Sequence, residues 1–477
     1  MKISIVLLLL AGALITARSS AEAQTVADGQ PGYAGVPTPA FGLNTRPLTA
    51  THFVDNTHIA ATDTGNPTGT ALRPRRTVPT ILSAGAVVEI RGGPYSTGNL
   101  TWTSQGTLER PVFVIGVGNP LFQGDGMGHR LVTAGSFMIV DGLTFNGVKH
   151  DIVGQSMSLR NSVIRNTNTT AVVVLGNRTV LYNNEIHNNG DPNAITERDT
   201  HGVLVVPGAQ YTWILRNNIH HNGGDAIQVG SVATTEPVAE YVYIAANYLH
   251  EDRENGVDIK MSRHVVVASN SIAGYYPRSS SAGEAIVVHN NPSFVWILNN
   301  AVGYASQGIV CTGADIYIVA GNVIANVRGN GLNPSNLYST SGILTYSSTR
   351  TFHVNNTISA SDAGISLGGT SPTEVVNNIV TGLTQATVPI RFSSSTTRAA
   401  STVSNNYTGA NPGFVDPVRG DFRLLGSPLV VDAGMNHFIF AAYRQIYGVA
   451  FGADLYGGQR QIGGAVDIGA AEFQPPR

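Results

Sequence analysis

Charged side chains occur in three successive repeats, in segments that otherwise have the pattern of buried strands. The segments are Asp225–Gly230, Asn255–Lys260 and Glu284–His289. Lys260 can act as a base that removes a proton, and His289 can assist it. Asp225, Asp258 and Glu284 carry hard oxygen ligands of the kind that Ca²⁺ prefers. The sequence thus predicts a catalytic pair, Lys260 and His289, beside three carboxylates that hold Ca²⁺ or substrate.

Alternation along the strands decides which side chains reach the surface. Six segments align on a small residue at their second position, and they are His201–Val206, Asp225–Gly230, Asn255–Lys260, Glu284–His289, Gln307–Thr312 and Ser341–Tyr346. Their third and fifth positions are almost all aliphatic, so the fourth and sixth positions should point outward. The outward positions include Gln228, Asp258, Lys260 and His289, and Asp225, Asn255 and Glu284 form a polar column at the strand start. We expect Gln228, Asn255 and Tyr346 to contact a substrate.

The predicted patch has the size of a short piece of polymer. Neighbouring strands lie about 4.8 Å apart and residues two apart along a strand about 6.6 Å, so the patch should span on the order of 10 Å. That is the scale of one or two sugar rings. Loops at 188–200 and 275–283 precede these strands and would wall one side of a groove.

A repeated asparagine shows what kind of fold positions these strands. An Asn followed two residues later by an aliphatic residue or Thr recurs every 22 to 34 residues, at Asn161, Asn184, Asn217, Asn247, Asn270, Asn300, Asn322, Asn356, Asn378 and Asn406. A β-branched run precedes most of these anchors, and a second short strand follows each one. Such a period indicates a solenoid whose insertions form loops on one face. Asn suits its turns because it tolerates left-handed backbone and donates hydrogen bonds to the next coil.

The repeat resembles the right-handed parallel β-helix of the pectate-lyase-like superfamily from about Ile81 to Asn406. The segments Val87–Tyr95 and Gly135–Leu143 resemble the opening coils of its secreted polysaccharide lyases. Near the C-terminus, Asn411–Pro417 and Asp467–Ala470 resemble a terminal cap that prevents end-to-end association. We therefore predict an all-β, single-stranded right-handed parallel β-helix at 79–408, an N-terminal segment and cap at 24–78, and a C-terminal cap at 409–477.

Composition narrows the functional classes. The chain of 477 residues is 42% hydrophobic and 12% charged, with a net charge of -2, so no basic field for nucleic acid is expected. Lys2 followed by the apolar run 3–15 and by Ala21-Glu22-Ala23 predicts a signal peptide at 1–23 and a secreted or periplasmic protein. No later segment predicts a membrane span. Cys311 is the single cysteine and is expected in the core, and the protein is expected to be a monomer.

The resemblance implies a groove for an acidic polysaccharide, and the predicted function is its cleavage by β-elimination. That reaction needs a base and a positive charge to stabilise the carbanion that forms next to the substrate carboxylate. A non-catalytic carbohydrate-binding or surface solenoid is the main alternative. A β-helical glycoside hydrolase is the third, disfavoured because the chain contains no Asp-Asp pair.

Two further columns have competing interpretations. His187, His220 and His250 each follow an anchor by three residues and would stack as a ladder able to bind a metal, although polar turn residues are expected there anyway. Four aromatic side chains share an outward column of the strand before the anchor, and they are Trp213, Tyr243, Trp296 and Phe352. We expect loops to cover them rather than sugars to stack on them.

Overall fold

The computed structural model describes residues 35–43, 46–47, 49–193, 198–232, 237–329, 340–369 and 371–475. The predicted signal peptide at 1–23 lies outside these residues. The chain divides into two compact units, one formed by Pro39–Val242 and one formed by Tyr243–Arg477 with the residues before Pro39. Within each unit parallel strands form three columns, which we call face 1, face 2 and face 3.

Face 1 holds the strands that end just before the anchor asparagines, together with the earlier strands that pair in the same column. In the first unit they are His52–Asp55, Val87–Arg91, Val112–Gly116, Gln155–Arg160, Thr179–Tyr182 and Gln210–Leu215. In the second unit they are Ser262–Ala268, Ser293–Leu298, Asp315–Ala320, Thr349–Val354, Ser371–Val376 and Ser401–Ser404. The strand Ala239–Ala245 contains the unit boundary.

Face 2 holds the short strands that follow the anchors. The first unit contributes Tyr95–Ser96, Leu121–Gln123, Thr144–Asn146, Val163–Arg165, Glu185–His187 and Asn218–His220. The second unit contributes Tyr248–His250, Ser271–Tyr275, Ala301–Ala305, Val323–Ala325, Thr357–Ser359 and Ile379–Thr381.

Face 3 holds the strands with the candidate site residues. Those of the first unit are Ile81–Leu82, Leu100–Gln105, Lys149–Ile152, Val172–Val174, Val203–Val205 and Ile227–Val229, and the long strand Arg130–Asp141 pairs in both face 3 and face 1. Those of the second unit are Val257–Ile259, Glu284–His289, Gln307–Thr312, Ser341–Tyr346, Ala363–Gly368 and Ile390–Phe392. A coil therefore has three strands, whereas the sequence predicted two. The short strand after each anchor lies on face 2, and the aligned segment with the candidate site residues is a separate strand on face 3.

The alternation predicted for face 3 is present. Val257 pairs with Ile286 and Ile259 with Val288, and all four side chains are fully buried. Inward aliphatic columns of this kind fill the interior of each coil, and they bury Cys311 as predicted. Burial raises the pKa of the Cys311 thiol to about 12, so it is an inert core group.

The anchors form a hydrogen-bonded ladder, but their backbone differs from the prediction. From Asn247 to Asn406 each anchor amide donates to the side-chain oxygen of the next anchor over 2.9–3.0 Å. The left-handed residue is the one before the anchor, as at Ser269, Asn299 and Asn355. Asn161, predicted as an anchor, occupies that preceding position with φ 50°. A buried anchor needs its side chain for the ladder, so the turn is made by its neighbour.

The C-terminal segment packs along the side of the second unit. It contains an antiparallel pair, Phe414–Asp416 and Asp421–Leu424, and the chain also forms short helices at Ser395–Ala399 and Pro417–Arg419 and a longer helix at Ile439–Tyr447. The amide of Asn355 donates to the carbonyl of Asp467 over 2.7 Å, and that of Asn377 to the carbonyl of Met435 over 2.8 Å. These contacts lie along the side of the coils, at Asn355 and Asn377, and not at the end of the column. The role of 409–477 as an end cap stays a prediction.

The helix Ile439–Tyr447 covers part of the aromatic column on face 1. Ile439 and Tyr443, four residues apart, form its buried side, and Gly448 ends it in the left-handed conformation with φ 74°. The ring of Tyr443 meets Trp296 edge-on at 5.1 Å.

In the described part of the chain, no helix has both the length and the apolar character required to cross a membrane.

Candidate functional site

Register brings the predicted catalytic side chains of the second unit together on face 3. The strand Val257–Ile259 pairs with Glu284–His289 so that Ile259 lies opposite Val288. The next pair in this register is Lys260 and His289. Because Ile259 and Val288 point into the core, Lys260 and His289 point outward from adjacent coils.

Asp258 joins the two basic side chains. Its Oδ1 lies 2.8 Å from Nε2 of His289, and its Oδ2 lies 3.2 Å from Nζ of Lys260. The Asp258 side chain is 6% exposed, Lys260 18% and His289 30%. The carboxylate is therefore covered by two groups that themselves reach the solvent. We call Asp258, Lys260 and His289 the face 3 cluster.

His289 is also contacted at its second ring nitrogen. The side-chain amide of Asn290 lies 3.4 Å from Nδ1 of His289. When the amide nitrogen donates to Nδ1, Nε2 carries the proton and donates to Asp258. This arrangement orients the ring, and Nδ1 becomes available as the basic nitrogen when the Asn290 amide turns away from it. Asn290 is not among the predicted site residues, and its one signal in the sequence is the Asn-Asn pair that follows the strand.

Glu284 and Asn255 hold a loop at the start of these strands. The hydroxyl of Ser281 donates to Oδ1 of Asn255 at 2.8 Å and lies 3.0 Å from Oε2 of Glu284. Burial raises the pKa of Glu284, and the nearby Asp258 carboxylate adds to the increase. Asn255 is only 7% exposed, so its observed role is to fix the loop at 276–283. Its predicted contact with substrate stays a prediction.

Two predicted site residues belong to the first unit. Asp225 is 1% exposed, and its backbone N–H donates to Nδ1 of His201 over 3.1 Å. Gln228 is 8% exposed, and its amide donates to the carbonyl of Gly230 over 3.3 Å. Both side chains are nearly buried, whereas a surface patch would expose them to solvent.

Tyr346 is an exposed aromatic side chain on face 3 of the second unit. The sixth positions of three consecutive strands pair in the order His289, Thr312 and Tyr346. Tyr346 thus lies two coils from His289, at about 10 Å. It is 50% exposed, and its ring packs so closely over Gly368 that a β-carbon there would come within 2.5 Å of the ring. An aromatic face fixed at this spacing suits stacking against a sugar ring.

The second unit contains two of the three predicted Ca²⁺ ligands, and their surroundings do not fit a preformed calcium site. Ca²⁺ takes six to eight oxygen ligands in proteins. Both oxygens of Asp258 already contact side chains, those of Lys260 and His289, and burial raises the pKa of Glu284. A calcium ion would have to displace Lys260 and His289. The site of Asp225, Asp258 and Glu284 stays a prediction.

Calcium should leave the stability of the protein unchanged. We expect the same melting temperature in millimolar CaCl₂ and in excess chelator, because the face 3 cluster neutralises Asp258 without a metal. Differential scanning calorimetry provides the measurement. A rise with calcium that disappears in Asp258→Asn would show that the carboxylates do rearrange around an ion.

The two additional columns have different outcomes. His187 and His220 stack at 5.0 Å within the first unit, where burial lowers the pKa of His187. Metal binding by the His187, His220 and His250 ladder stays a prediction. On face 1, Tyr243 and Trp296 are 4% and 2% exposed and contact the helix Ile439–Tyr447. They are covered, as expected, although by a helix instead of loops.

Comparisons with known proteins agree with this architecture. Residues 141–324 match the family model described as the right handed beta helix region. No curated protein matches the sequence. Among solved structures, the chain is similar to the pectate lyase Pel9A, with 14% identity, coverage of 89% of this chain and 97% of that one, and a TM-score of 0.47.

Two other solved structures are similar at the same level. The polysaccharide lyase Pedsa3628 from Pseudopedobacter saltans has 14% identity, coverage of 74% and 95%, and a TM-score of 0.46. The lacto-N-biosidase from Eubacterium ramulus has 14% identity, coverage of 75% and 68%, and a TM-score of 0.43. The family match over residues 141–324 and the three columns of parallel strands show the fold of a right-handed parallel β-helix.

Proposed function

We propose that the chain is an exported polysaccharide lyase that binds an acidic polysaccharide along face 3 and cleaves it by β-elimination. The observation that carries the proposal is the face 3 cluster, in which one carboxylate contacts a lysine and a histidine that both reach the surface. Export rests on the leader sequence at 1–23. The pectate lyase similarity supplies the fold and no argument about activity.

The geometry suggests which of the two basic groups removes the proton and which supplies the positive charge. Lys260 was predicted as the base and His289 as its assistant. Lys260 forms an ion pair with Asp258, which suits a fixed positive charge facing the substrate carboxylate. His289 is oriented through Nε2 and has Nδ1 as its basic nitrogen. We therefore assign proton removal to His289 and charge neutralisation to Lys260.

The proposed reaction breaks one C–H and one C–O bond. Nδ1 of His289, once the Asn290 amide turns away from it, takes the proton from the carbon next to the carboxylate, and the C–H electron pair forms the new C=C bond. The adjacent glycosidic C–O bond breaks with its electrons on the leaving oxygen, which takes a proton from water. The hydroxide that remains takes the proton from His289 and restores the neutral ring. Lys260 stabilises the negative charge that builds up on the substrate carboxylate before the C–O bond breaks. Tyr346 would hold a sugar ring two coils away.

Turnover of uronate polymers by single variants tests this assignment. We expect His289→Ala and Lys260→Ala each to lower the rate by at least about a hundredfold, because each removes one of two groups that act at the same carbon. Absorbance of the new double bond measures the rate. Lys149→Ala is the matched control, since Lys149 forms an equivalent ion pair with Asp151 at 3.0 Å on face 3 of the first unit.

A charge-preserving variant separates the two roles. With His289 as base, Lys260→Arg should keep part of the activity because it retains the positive charge. If Lys260→Arg is as inactive as Lys260→Ala while His289→Ala stays active, Lys260 is the base. Polymer binding without turnover in the wild type would support the non-catalytic alternative instead, and products without a double bond the hydrolase.

A further inference from the structure

The C-terminal segment of the second unit contains a cavity of about 470 Å³ that the proposed reaction does not use. It is lined by Asn436, His437, Phe440, Ala441, Phe451, Gly452, Gln459, Arg460, Gln461 and Val466. The floor is buried, whereas Asn436, Gln459 and Gln461 lie on an exposed rim. Pockets of a few hundred cubic ångströms with a few converging polar groups are typical of small-molecule sites.

Arg460 is a buried cation at this cavity. It is 7% exposed, and its guanidinium lies 4.9 Å from the ring centre of Phe451 and 5.4 Å from that of Phe440. Nη2 donates to Oδ1 of Asn299 over 2.9 Å. Nε is buried and has no hydrogen-bond partner among the residues that the structure describes. A buried donor without a partner costs free energy unless a ligand or water satisfies it.

The nearby carboxylates do not pair with this guanidinium. Asp454 accepts hydrogen bonds from the backbone N–H groups of Tyr456, Gly458 and Glu472. Glu472 accepts them from Ile462 and Asp467. In the described ranges of the chain, no carboxylate oxygen lies within 4.0 Å of the Arg460 nitrogens. The positive charge is thus compensated at a distance and remains available to an anion in the cavity.

A purely structural Arg460 would explain part of this arrangement. Bracing Asn299, whose backbone is left-handed with φ 50°, accounts for the Nη2 hydrogen bond, and stacking on two phenylalanines accounts for the side-chain position. Neither explains a donor without a partner beside a cavity with three exposed amide side chains on its rim. Arginine commonly binds a carboxylate with two parallel hydrogen bonds, and amides bind hydroxyl groups.

We propose that this cavity binds a single carboxylate-bearing sugar, with its carboxylate on Arg460 and its hydroxyl groups on Asn436, Gln459 and Gln461. The site is separate from the face 3 cluster, because Asn299 lies at the turn between face 1 and face 2. Binding here does not depend on catalysis at His289.

Titration calorimetry of the full chain with sodium galacturonate tests the proposal. We expect saturable binding that weakens at least about tenfold in Arg460→Gln, and binding of neutral galactose that is weaker by a similar factor. The double variant Gln459→Ala/Gln461→Ala changes exposed side chains only, so it should fold normally and weaken binding of galacturonate. His289→Ala should bind like the wild type.

Each of these results has an opposite that would overturn the proposal. The carboxylate assignment is wrong if galactose binds as tightly as galacturonate, and the sugar assignment is wrong if acetate does. Absence of saturable galacturonate binding would refute the site itself. Unchanged affinity in the double rim variant would refute its location, even if Arg460→Gln fails to fold. Loss of binding in His289→Ala would place the sugar at the face 3 cluster instead.

Discussion

Ile259→Asp should destabilise the protein by at least about 3 kcal/mol, because it places an unpaired charge among aliphatic side chains. Ile259 is fully buried, and it lies opposite Val288 of the next coil. The side chain of Val288 has no hydrogen-bond donor and cannot offset this cost. Urea unfolding followed by circular dichroism measures the loss.

Thr312→Asp is the matched control for this change. Thr312 is an exposed residue at the end of a face 3 strand, where a carboxylate stays in water. Its effect should stay within about 0.5 kcal/mol. Equal stability of Ile259→Asp and Thr312→Asp would mean that the strand is shifted by one residue. Such a shift would turn Asp258 and Lys260 inward, so that they could no longer form the face 3 cluster with His289.

The face 3 cluster could be predicted because a strand has a strict period of two. Once Val257 and Ile259 were assigned to the core, the outward direction of Asp258 and Lys260 followed without any structural information. Alignment of the repeats then placed His289 on the adjacent coil, where the structure has it. The sequence did not reveal that Asp258 would contact both basic groups, because that depends on side-chain conformation.

The positions that escaped prediction depend on turns and on distant packing. Asn161 resembles an anchor in sequence but lies one position earlier, and Ser162 takes its place. Nothing in the local pattern distinguishes a left-handed asparagine from a buried one. The C-terminal helix lies on Trp296 through Tyr443, more than a hundred residues away in sequence, and periodicity carries no information about such docking. The cavity beside Arg460 arises from the same packing.

Acidification should destabilise the protein through two buried histidines. His150 and His353 are 1% and 0% exposed, and burial lowers the pKa of each to about 3 from an ordinary value of 6.5. One ring nitrogen of each lies near a threonine hydroxyl, Thr133 and Thr345, while Nδ1 has no partner within the described residues. The folded protein therefore holds both rings neutral, whereas the unfolded chain protonates them below pH 6.5.

The direction of the effect follows from the lowered pKa values. Since the unfolded state binds these protons first, stability is unaffected above pH 6.5 and falls as the pH decreases from 6.5 toward 3. At about pH 4 the loss should be roughly 3 kcal/mol for each histidine. Urea unfolding at a series of pH values, between neutral and about pH 4, measures it.

Glutamine variants isolate this contribution from the general acid sensitivity of the chain. His150→Gln and His353→Gln keep a polar group near each threonine but cannot take up a proton in this range. Each variant should start less stable than the wild type at neutral pH, because the core is disturbed, and should then lose less stability on acidification. Parallel profiles for the wild type and both variants would show that the buried rings accept protons in the folded state at ordinary pH.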